Sequence, residues 1–240
     1  MWATTVNGQQ LHFHLAGINN QNFIMRDEET GSWWQQVTGE AILGPLKGAR
    51  LAPVLHDELT YGLWRREQQD GRVLRPDPHV AASSYAPADW ETRMERVPVA
   101  TNDRNIETKQ RTLVAGLFVN GQARAYPLPL LVAQSPVNDT LGGTPVLLLV
   151  AEDGRSVRAF ERTSAGRAVE FFKRAPANNS TQGPPQLLDA ATGSAWDFTG
   201  LAVAGPLTGQ RLKQLPVLAD YWFDWHSYNP QTTLYRAGTH

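Results

Sequence analysis

The 240-residue chain contains no cysteine, which excludes disulfides, thiolate metal sites, iron–sulfur clusters and cysteine nucleophiles together. It also lacks an excess of charge, because 22 Lys and Arg residues face 23 Asp and Glu residues. No bulk charge is therefore available to recruit nucleic acid or an anionic membrane. The longest apolar run, near Pro145 to Ala151, is far shorter than the roughly 20 residues that cross a bilayer. We expect no nucleic-acid partner and no membrane span.

Several sequence signals of known function are also missing. The chain has no Gly-x-x-x-x-Gly-Lys motif, no dinucleotide fingerprint after a strand and no Gly-x-Ser-x-Gly elbow. Its start, MWATTVNGQQ, lacks the basic and apolar regions of a secretory signal. This chain is therefore expected to hold no signal peptide, and either the protein is cytoplasmic or its true N-terminus lies upstream of Met1.

What the sequence does contain is a stretch that occurs twice. Residues 27–51 read DEETGSWWQQVTGEAILGPLKGARL, and residues 189–212 read DAATGSAWDFTGLAVAGPLTGQRL. So many identities at one offset indicate an internal duplication. Trp64 and Trp225 continue the match, and we expect both of them, together with Trp34 and Trp196, to be largely buried. Residues 112–159 have no counterpart in the first copy.

The duplication predicts an α+β, β-rich fold made of two related units around a pseudo-twofold axis, with the first unit incomplete. The predicted organisation is a first repeat unit (1–75), a Pro-rich linker (76–110) and a second repeat unit (111–240). Asn-Gly dipeptides at 7–8 and 120–121 predict β-hairpins, because they favour positive φ. Apolar spacing and capping residues predict helices over residues 59–67, 88–96, 128–133 and 219–228.

Several motifs together resemble an uncharacterised bacterial and archaeal family, the domain of unknown function number 3179. They are Ala125-Tyr126-Pro127-Leu128, Val137-Asn138-Asp139, Gly142-Gly143-Thr144-Pro145-Val146, Phe160-Glu161-Arg162, both Thr-Gly-Ser-x-Trp stretches, both Gly-Pro-Leu-x-Gly-x-Arg-Leu stretches and Trp225. The resemblance covers nearly all of the chain outside the linker. Since relatives look like exported proteins, it implies a periplasmic or extracellular location.

The chain departs from the family pattern where relatives carry a His and a Cys-Pro-Leu-Cys segment. Gln134, Ala151 and Gly154 stand at those places. The resemblance implies a soft-metal or redox site in relatives, and the second unit has lost it. Met1-Trp2 aligns with Ala159-Phe160, so the matching half of the first unit would lie before Met1. We therefore expect a non-catalytic or catalytically silent binding module of an exported bacterial protein. The alternative is a fragment of a metal-dependent or redox enzyme whose ligands lie upstream.

The candidate ligand-binding residues each have a structural interpretation as well. Asp27 and Asp189 could form a carboxylate pair across the pseudo-twofold, but Asp-x-x-Thr-Gly is also a turn former, and we favour that role. Trp33 faces Ala195 in the alignment, so it is free to stack on a sugar or another flat ligand, although aromatic residues are more often core. Asn138 and Asp139 precede Gly142-Gly143, where they either turn the chain or line a pocket.

His12 and His14 are the one pair of imidazoles with metal-ligand spacing, because residues two apart on a strand point the same way. Two His residues make half of a usual coordination shell, so a third ligand would come from His56, Asp57 or Glu58. Alternating His residues more often form a solvent-exposed strand face.

We expect no cofactor other than this metal. The expected partners are a small polar ligand or a protein, and a homodimer through the incomplete first unit.

Overall fold

The computed structural model describes residues 1–19, 22–75, 77–79, 86–87, 89–94, 96–99, 108–164, 166–174 and 186–237. Twenty strands and four helices are formed in these residues, which confirms the β-rich expectation. None of the helices in the described ranges is long and apolar enough to cross a membrane. Most of the predicted linker lies outside the described residues, and the division into 1–75, 76–110 and 111–240 stays a prediction.

The chain begins with a small hairpin and a four-stranded antiparallel sheet. The hairpin turns at Asn7 and Gly8, which have φ values of 50° and 81°. The sheet follows chain order and buries the indole of Trp34 against Leu11 and Leu51. The strands are β1 (Thr5–Val6), β2 (Gln9–Gln10), β3 (Phe13–Asn19), β4 (Asn22–Asp27), β5 (Trp33–Gln35) and β6 (Glu40–Leu43).

Helix α1 (Tyr61–Glu67) follows the first sheet, where Thr60 caps it by accepting a hydrogen bond from Leu63 N at 3.4 Å. Helix α2 (Trp90–Met94) is the described part of the helix predicted over 88–96. It is five residues long, and its Trp90 is exposed. Both helices therefore form close to the places where apolar spacing predicts them.

The second half of the chain opens with two sheets that enclose its largest core. One sheet has the order β19-β7-β8-β20 and the other has the order β18-β11-β10-β9. Leu117, Tyr126 and Leu148 are fully buried between them. The elements are β7 (Leu113–Val119), β8 (Gln122–Pro127), α3 (Leu128–Gln134), β9 (Val137–Leu141), β10 (Thr144–Val150) and β11 (Val157–Glu161).

The chain then forms a second small hairpin and a second four-stranded sheet before it returns to the larger sheets. This sheet has the order β14-β15-β16-β17. Residues 219–221, which are predicted as the start of a helix, belong instead to β19, because they pair with β7. The elements are β12 (Thr163–Ser164), β13 (Arg167–Ala168), β14 (Phe171–Arg174), β15 (Gln186–Asp189), β16 (Ala195–Trp196), β17 (Ala202–Ala204), β18 (Lys213–Leu215), β19 (Leu218–Tyr221), α4 (Trp222–Tyr228) and β20 (Thr233–Leu234).

The four tryptophans expected to be buried behave differently from one another. Trp34, Trp196 and Trp225 are 0%, 5% and 4% exposed. Trp64 is only half-buried. The burial of Trp64 and Trp225 differs because only Trp225 is covered by a neighbouring strand, where it packs on Gly116 of β7. Trp64 packs on Gly71 and Tyr61, which lie close to it in the chain.

Candidate functional site

A cavity of about 420 Å³ lies where the segment before α1 meets the second half of the chain. Its walls come from residues 56–58, from β7, β18 and β19, from the beginning of β11 and from Trp90 of α2. This volume falls within the range of small-molecule sites, roughly 300–1,000 Å³. The cavity is therefore large enough to hold a small ligand.

Residues 56–60 are fixed to the second half by charged and polar side chains. Arg158 donates to both carboxylate oxygens of Glu67 at 2.8 and 2.7 Å, and to Asp57 at 2.7 Å. Gln214 also donates to Asp57, at 2.6 Å. Thr60 donates to Asp153 at 2.7 Å. Because these contacts converge on a short segment, one wall of the cavity is held in place by the opposite half of the molecule.

The floor of the cavity is apolar. Val114 and Leu215 are buried there, and Leu128 and Val217 complete the surface. Leu128 belongs to the Ala-Tyr-Pro-Leu motif, in which Pro127 precedes α3 and fixes the direction of the chain. An apolar floor with a few polar groups around it is the usual composition of a small-molecule site.

Two carboxyl groups lie together at one end of the cavity. Asp220 of β19 lines the cavity, and Asp224 follows it in the first turn of α4. Asp224 Oδ2 accepts a hydrogen bond from Asn22 Nδ2 of the first sheet. Asp224 is buried and also forms a side-chain hydrogen bond with Asp220. The pair therefore joins the cavity to both halves of the molecule.

Burial is the main cause of the unusual protonation of this pair. Burial and the nearby charge of Asp224 raise the pKa of Asp220 to about 8. Burial also raises the pKa of Asp224, against the opposing hydrogen bonds of Asn22 and Asp220. Two carboxyl groups in contact cannot both ionise cheaply, so they share a proton at neutral pH.

The pKa of Asp57, on the opposite wall of the cavity, is lowered rather than raised. Burial alone would raise its pKa, but the hydrogen bond and positive charge of Arg158 lower it below the usual range. The cavity thus contains an ionised carboxylate that is fully engaged with Arg158 and a second carboxyl that holds a proton. Only the second can change its charge easily when a ligand arrives.

The structure buries Asp27 and Asp189 within their own loops. Asp27 accepts hydrogen bonds from Thr30 N at 2.6 Å and from Trp34 Nε1 at 2.7 Å. Asp189 accepts the equivalent bonds from Thr192 N at 2.6 Å and from Trp196 Nε1 at 3.0 Å. Burial opposes the charge of each, but the indole and Thr bonds lower the pKa of both carboxyls. This geometry favours the turn-forming role, and ligand binding by either Asp stays a prediction.

Asn138 and Asp139 also use their polar atoms inside the fold. Asn138 exchanges two hydrogen bonds with the backbone of Phe171, at 2.8 and 2.9 Å, and so joins β9 to β14. Asp139 accepts from Arg124 at 2.6 Å and from Tyr126 at 2.8 Å. Neither residue lines the 420 Å³ cavity. Trp33 lies half-buried on β5, opposite Arg26 and Leu43, and is likewise outside it. Ligand binding by these three residues stays a prediction.

His12 directly precedes β3 and His14 lies within it, and both side chains are exposed. His12 Nδ1 lies 2.6 Å from Glu29 Oε1, and this partner raises the pKa of His12. His56 instead lies 3.5 Å from Glu58, beside the cavity. Among the described residues, no three His, Asp or Glu side chains are grouped as a metal site. Metal binding by His12 and His14 stays a prediction.

Gln134, Ala151 and Gly154, where the resemblance predicts metal-type ligands in relatives, lie at the end of α3 and in the β10–β11 turn. Gln134 accepts a hydrogen bond from Tyr235 at 3.0 Å. Ser135 accepts one from Val150 N at 3.0 Å, which draws the end of α3 toward that turn. Ala151 and Gly154 lie within the turn and are joined by a backbone hydrogen bond. Here these positions supply turn and packing contacts.

Sequence reasoning missed Asp220 and Asp224, although a signal was present. The offset that aligns Trp64 with Trp225 places them opposite Leu59 and Leu63. Two leucines of the first copy, four residues apart, are thus replaced by two aspartates in the second copy, at the beginning of the buried helix α4. Apolar positions of one copy that become acidic in the other indicate a change of role, and this comparison would have found the pair.

The family whose model matches this chain is described as a protein of unknown function (DUF3179), and the match covers residues 1–232. The chain belongs to that family. No curated protein and no solved structure matches the chain. The family membership therefore identifies relatives without supplying an activity.

Proposed function

We propose, starting from membership of a family of unknown function, that this protein is a catalytically silent binding module that holds a small polar ligand between its two halves. The observation that carries the proposal is the 420 Å³ cavity, which has an apolar floor and an ionisable carboxyl at one end. The replacement of the family's His and Cys positions by Gln134, Ala151 and Gly154 supports a binding role over a catalytic one. We also propose that the module belongs to an exported bacterial protein, on the resemblance described above.

The local contacts of the two small sheets support a two-unit origin for this cavity. Both sheets have four strands in chain order, and both follow a two-stranded hairpin at the same spacing. In each, a Ser hydroxyl accepts the backbone N–H of a Leu at 3.0 Å, Ser32 from Leu46 and Ser194 from Leu207. We infer that they are copies of one unit around a pseudo-twofold axis, with the cavity next to the part of the second unit that has no counterpart in the first.

The first sheet also exposes apolar side chains, which bear on the homodimer that is predicted from the incomplete first unit. Leu15, Ile18, Phe23 and Leu43 are each about half or more exposed. Such side chains favour a protein partner when they are contiguous. The homodimer stays a prediction beside the small-ligand proposal.

A cavity-filling variant tests the proposed function. Ala219 is exposed within the cavity wall, so Ala219→Trp should fill the space without forcing a large ring into the core. Saturation-transfer NMR on a library of small polar fragments should detect ligands of the wild-type protein, and these signals should be lost in Ala219→Trp.

The matched control is Val203→Trp, which places the same side chain at an exposed position of β17 outside the cavity. It should retain the wild-type fragment signals. Equal binding by all three proteins would show that the fragments bind elsewhere, and an absence of any bound fragment would reject the cavity as a ligand site.

A further inference from the structure

We propose that the ligand of the cavity is a small organic cation, with its ammonium group against Asp220 and its apolar body over Val114, Leu215 and Val217. This inference rests on the proposed function, since it names the ligand class of the same cavity. Two observations support it. The cavity has an apolar floor on one side and the carboxyl group of Asp220 on the other, and among the contacts of the described residues this carboxyl group has no positively charged partner.

The positive charge of the cavity is already used within the protein. Arg158 is 5% exposed, and its guanidinium is shared between Glu67 and Asp57 while it stacks over Phe198 at 4.7 Å. An anionic ligand would have to compete with two carboxylates for that group. Arg155 is exposed at the edge of the cavity. The cavity therefore disfavours an anion as its main ligand.

The end of the cavity at Asp220 is acidic, and among the described residues its carboxyl group is not paired with an arginine as that of Asp57 is. Asp220 accepts a backbone hydrogen bond from its neighbour Tyr221 at 2.7 Å, and Asp224 lies behind it. Asp224 accepts a hydrogen bond from Asn22 and is also hydrogen-bonded to Asp220, and only 9% of the residue is exposed. Ionising one of two carboxyl groups in contact is costly without a positive charge beside them, and a cation at Asp220 would reduce that cost.

An organic cation fits better than a metal ion. No third His, Asp or Glu completes a ligand group with this pair in the described ranges. The apolar floor also offers nothing to a hydrated metal, whereas it would bury the hydrocarbon part of an ammonium ligand. The exposed indole of Trp90 at the cavity wall adds an aromatic face, which attracts organic cations.

Binding of such a cation has a measurable consequence for protons. Asp220 holds a proton at neutral pH, and an ammonium group beside it favours the ionised carboxylate. The proton therefore leaves Asp220 for solvent as the cation binds, and affinity rises with pH until Asp220 is already ionised. The charged or titratable groups around Asp220 are Asp224, Tyr228, Glu58, His56, Arg155 and Arg158.

Three probes of similar shape and different charge test the inference: benzylammonium, benzyl alcohol and benzoate. Isothermal titration calorimetry at neutral pH should give benzylammonium an affinity about tenfold above that of benzyl alcohol, because a hydrogen bond to a charged group adds that much. Benzoate should bind most weakly. Titrations in phosphate and in MOPS, whose heats of protonation differ, should differ in heat, since the released proton is taken up by the buffer.

Asp220→Asn should lower benzylammonium affinity about tenfold and remove the buffer dependence, while benzyl alcohol affinity stays within about twofold. The matched control Asp70→Asn, at an exposed position outside the cavity, should behave as the wild type. If benzyl alcohol or benzoate equals benzylammonium, this inference is overturned while the binding function stands. If none of the three binds at about 10 mM, the cation hypothesis is overturned, and the fragment screen decides the binding function separately.

Discussion

Asp220 illustrates how one residue can link stability to pH. Its pKa is raised from 3.8 to about 8, so the folded protein binds this proton more tightly than the unfolded chain does. The favourable contribution is fully present below about pH 4 and is lost as pH rises through about 8. Asp220→Asn cannot lose a proton and retains an amide donor toward Asp224. Its unfolding free energy should therefore match the wild type near pH 4 and exceed it above about pH 8.

Urea unfolding at several pH values measures this difference, provided that both proteins unfold in one step. The control Asp70→Asn should follow the wild-type profile, because Asp70 is exposed. Parallel curves for the wild type and Asp220→Asn from about pH 4 to about pH 9 would contradict the shared-proton interpretation.

At the scale of elements, β7 and α4 pack closely because the backbone of Gly116 lies against the indole ring of Trp225. A Cβ added at Gly116 would lie 2.2 Å from the ring of Trp225, and this ring is fully enclosed by the core. Gly116→Ala should therefore lower the unfolding free energy by about 1–3 kcal/mol, the usual cost of overpacking. Thermal unfolding followed by tryptophan fluorescence measures the change.

Gly62 supplies the matched control for Gly116, since a Cβ added there meets nothing within 4 Å and the residue lies inside α1. Gly62→Ala should raise the unfolding free energy by roughly 0.5–1 kcal/mol, because alanine restricts the unfolded chain and favours the helix. Equal effects of the two substitutions would contradict the packing argument.

The elements that could be predicted from sequence are those fixed by neighbouring residues. Asn120 and Gly121 adopt φ values of 48° and 80°, so the Asn-Gly dipeptide alone places the β7–β8 hairpin. The beginning of α4 could not be placed, because Asp220 and Tyr221 have helical spacing but pair with β7 from a distant part of the chain. Tertiary pairing overrides local spacing in such cases.

The candidate site shows the same limit at a larger scale. Asp27, which lies outside the cavity, could be interpreted as a turn former from Asp-x-x-Thr-Gly, since all of these donors lie within seven residues. The cavity could not, because Asp57, Arg158 and Asp220 come from widely separated segments and no local pattern brings them together. A pair such as Asp57 and Arg158 is visible only after both halves have folded.

At the scale of the whole molecule, substitution of Arg158 tests most directly how the two halves are held together. Its side chain is 6% exposed and forms ion pairs with Asp57 and Glu67, both of which precede the linker. Arg158→Met keeps most of the volume but leaves two partly buried carboxylates without their cation. Removing one partner of a buried ion pair costs about 3–5 kcal/mol, so the unfolding free energy should fall by about that amount in a urea titration.

Lys213→Ala is the matched comparison, because Lys213 pairs with Glu161 on the same sheet while its side chain is 74% exposed. Its loss should cost less than about 1 kcal/mol. The difference between the two variants should also shrink at low pH, since protonation of Asp57 removes one of the unpaired charges that Arg158→Met creates. A similar small cost for both variants would mean that residues 56–67 are held to the second half by their other contacts, with Thr60 and its bond to Asp153 as the next position to change.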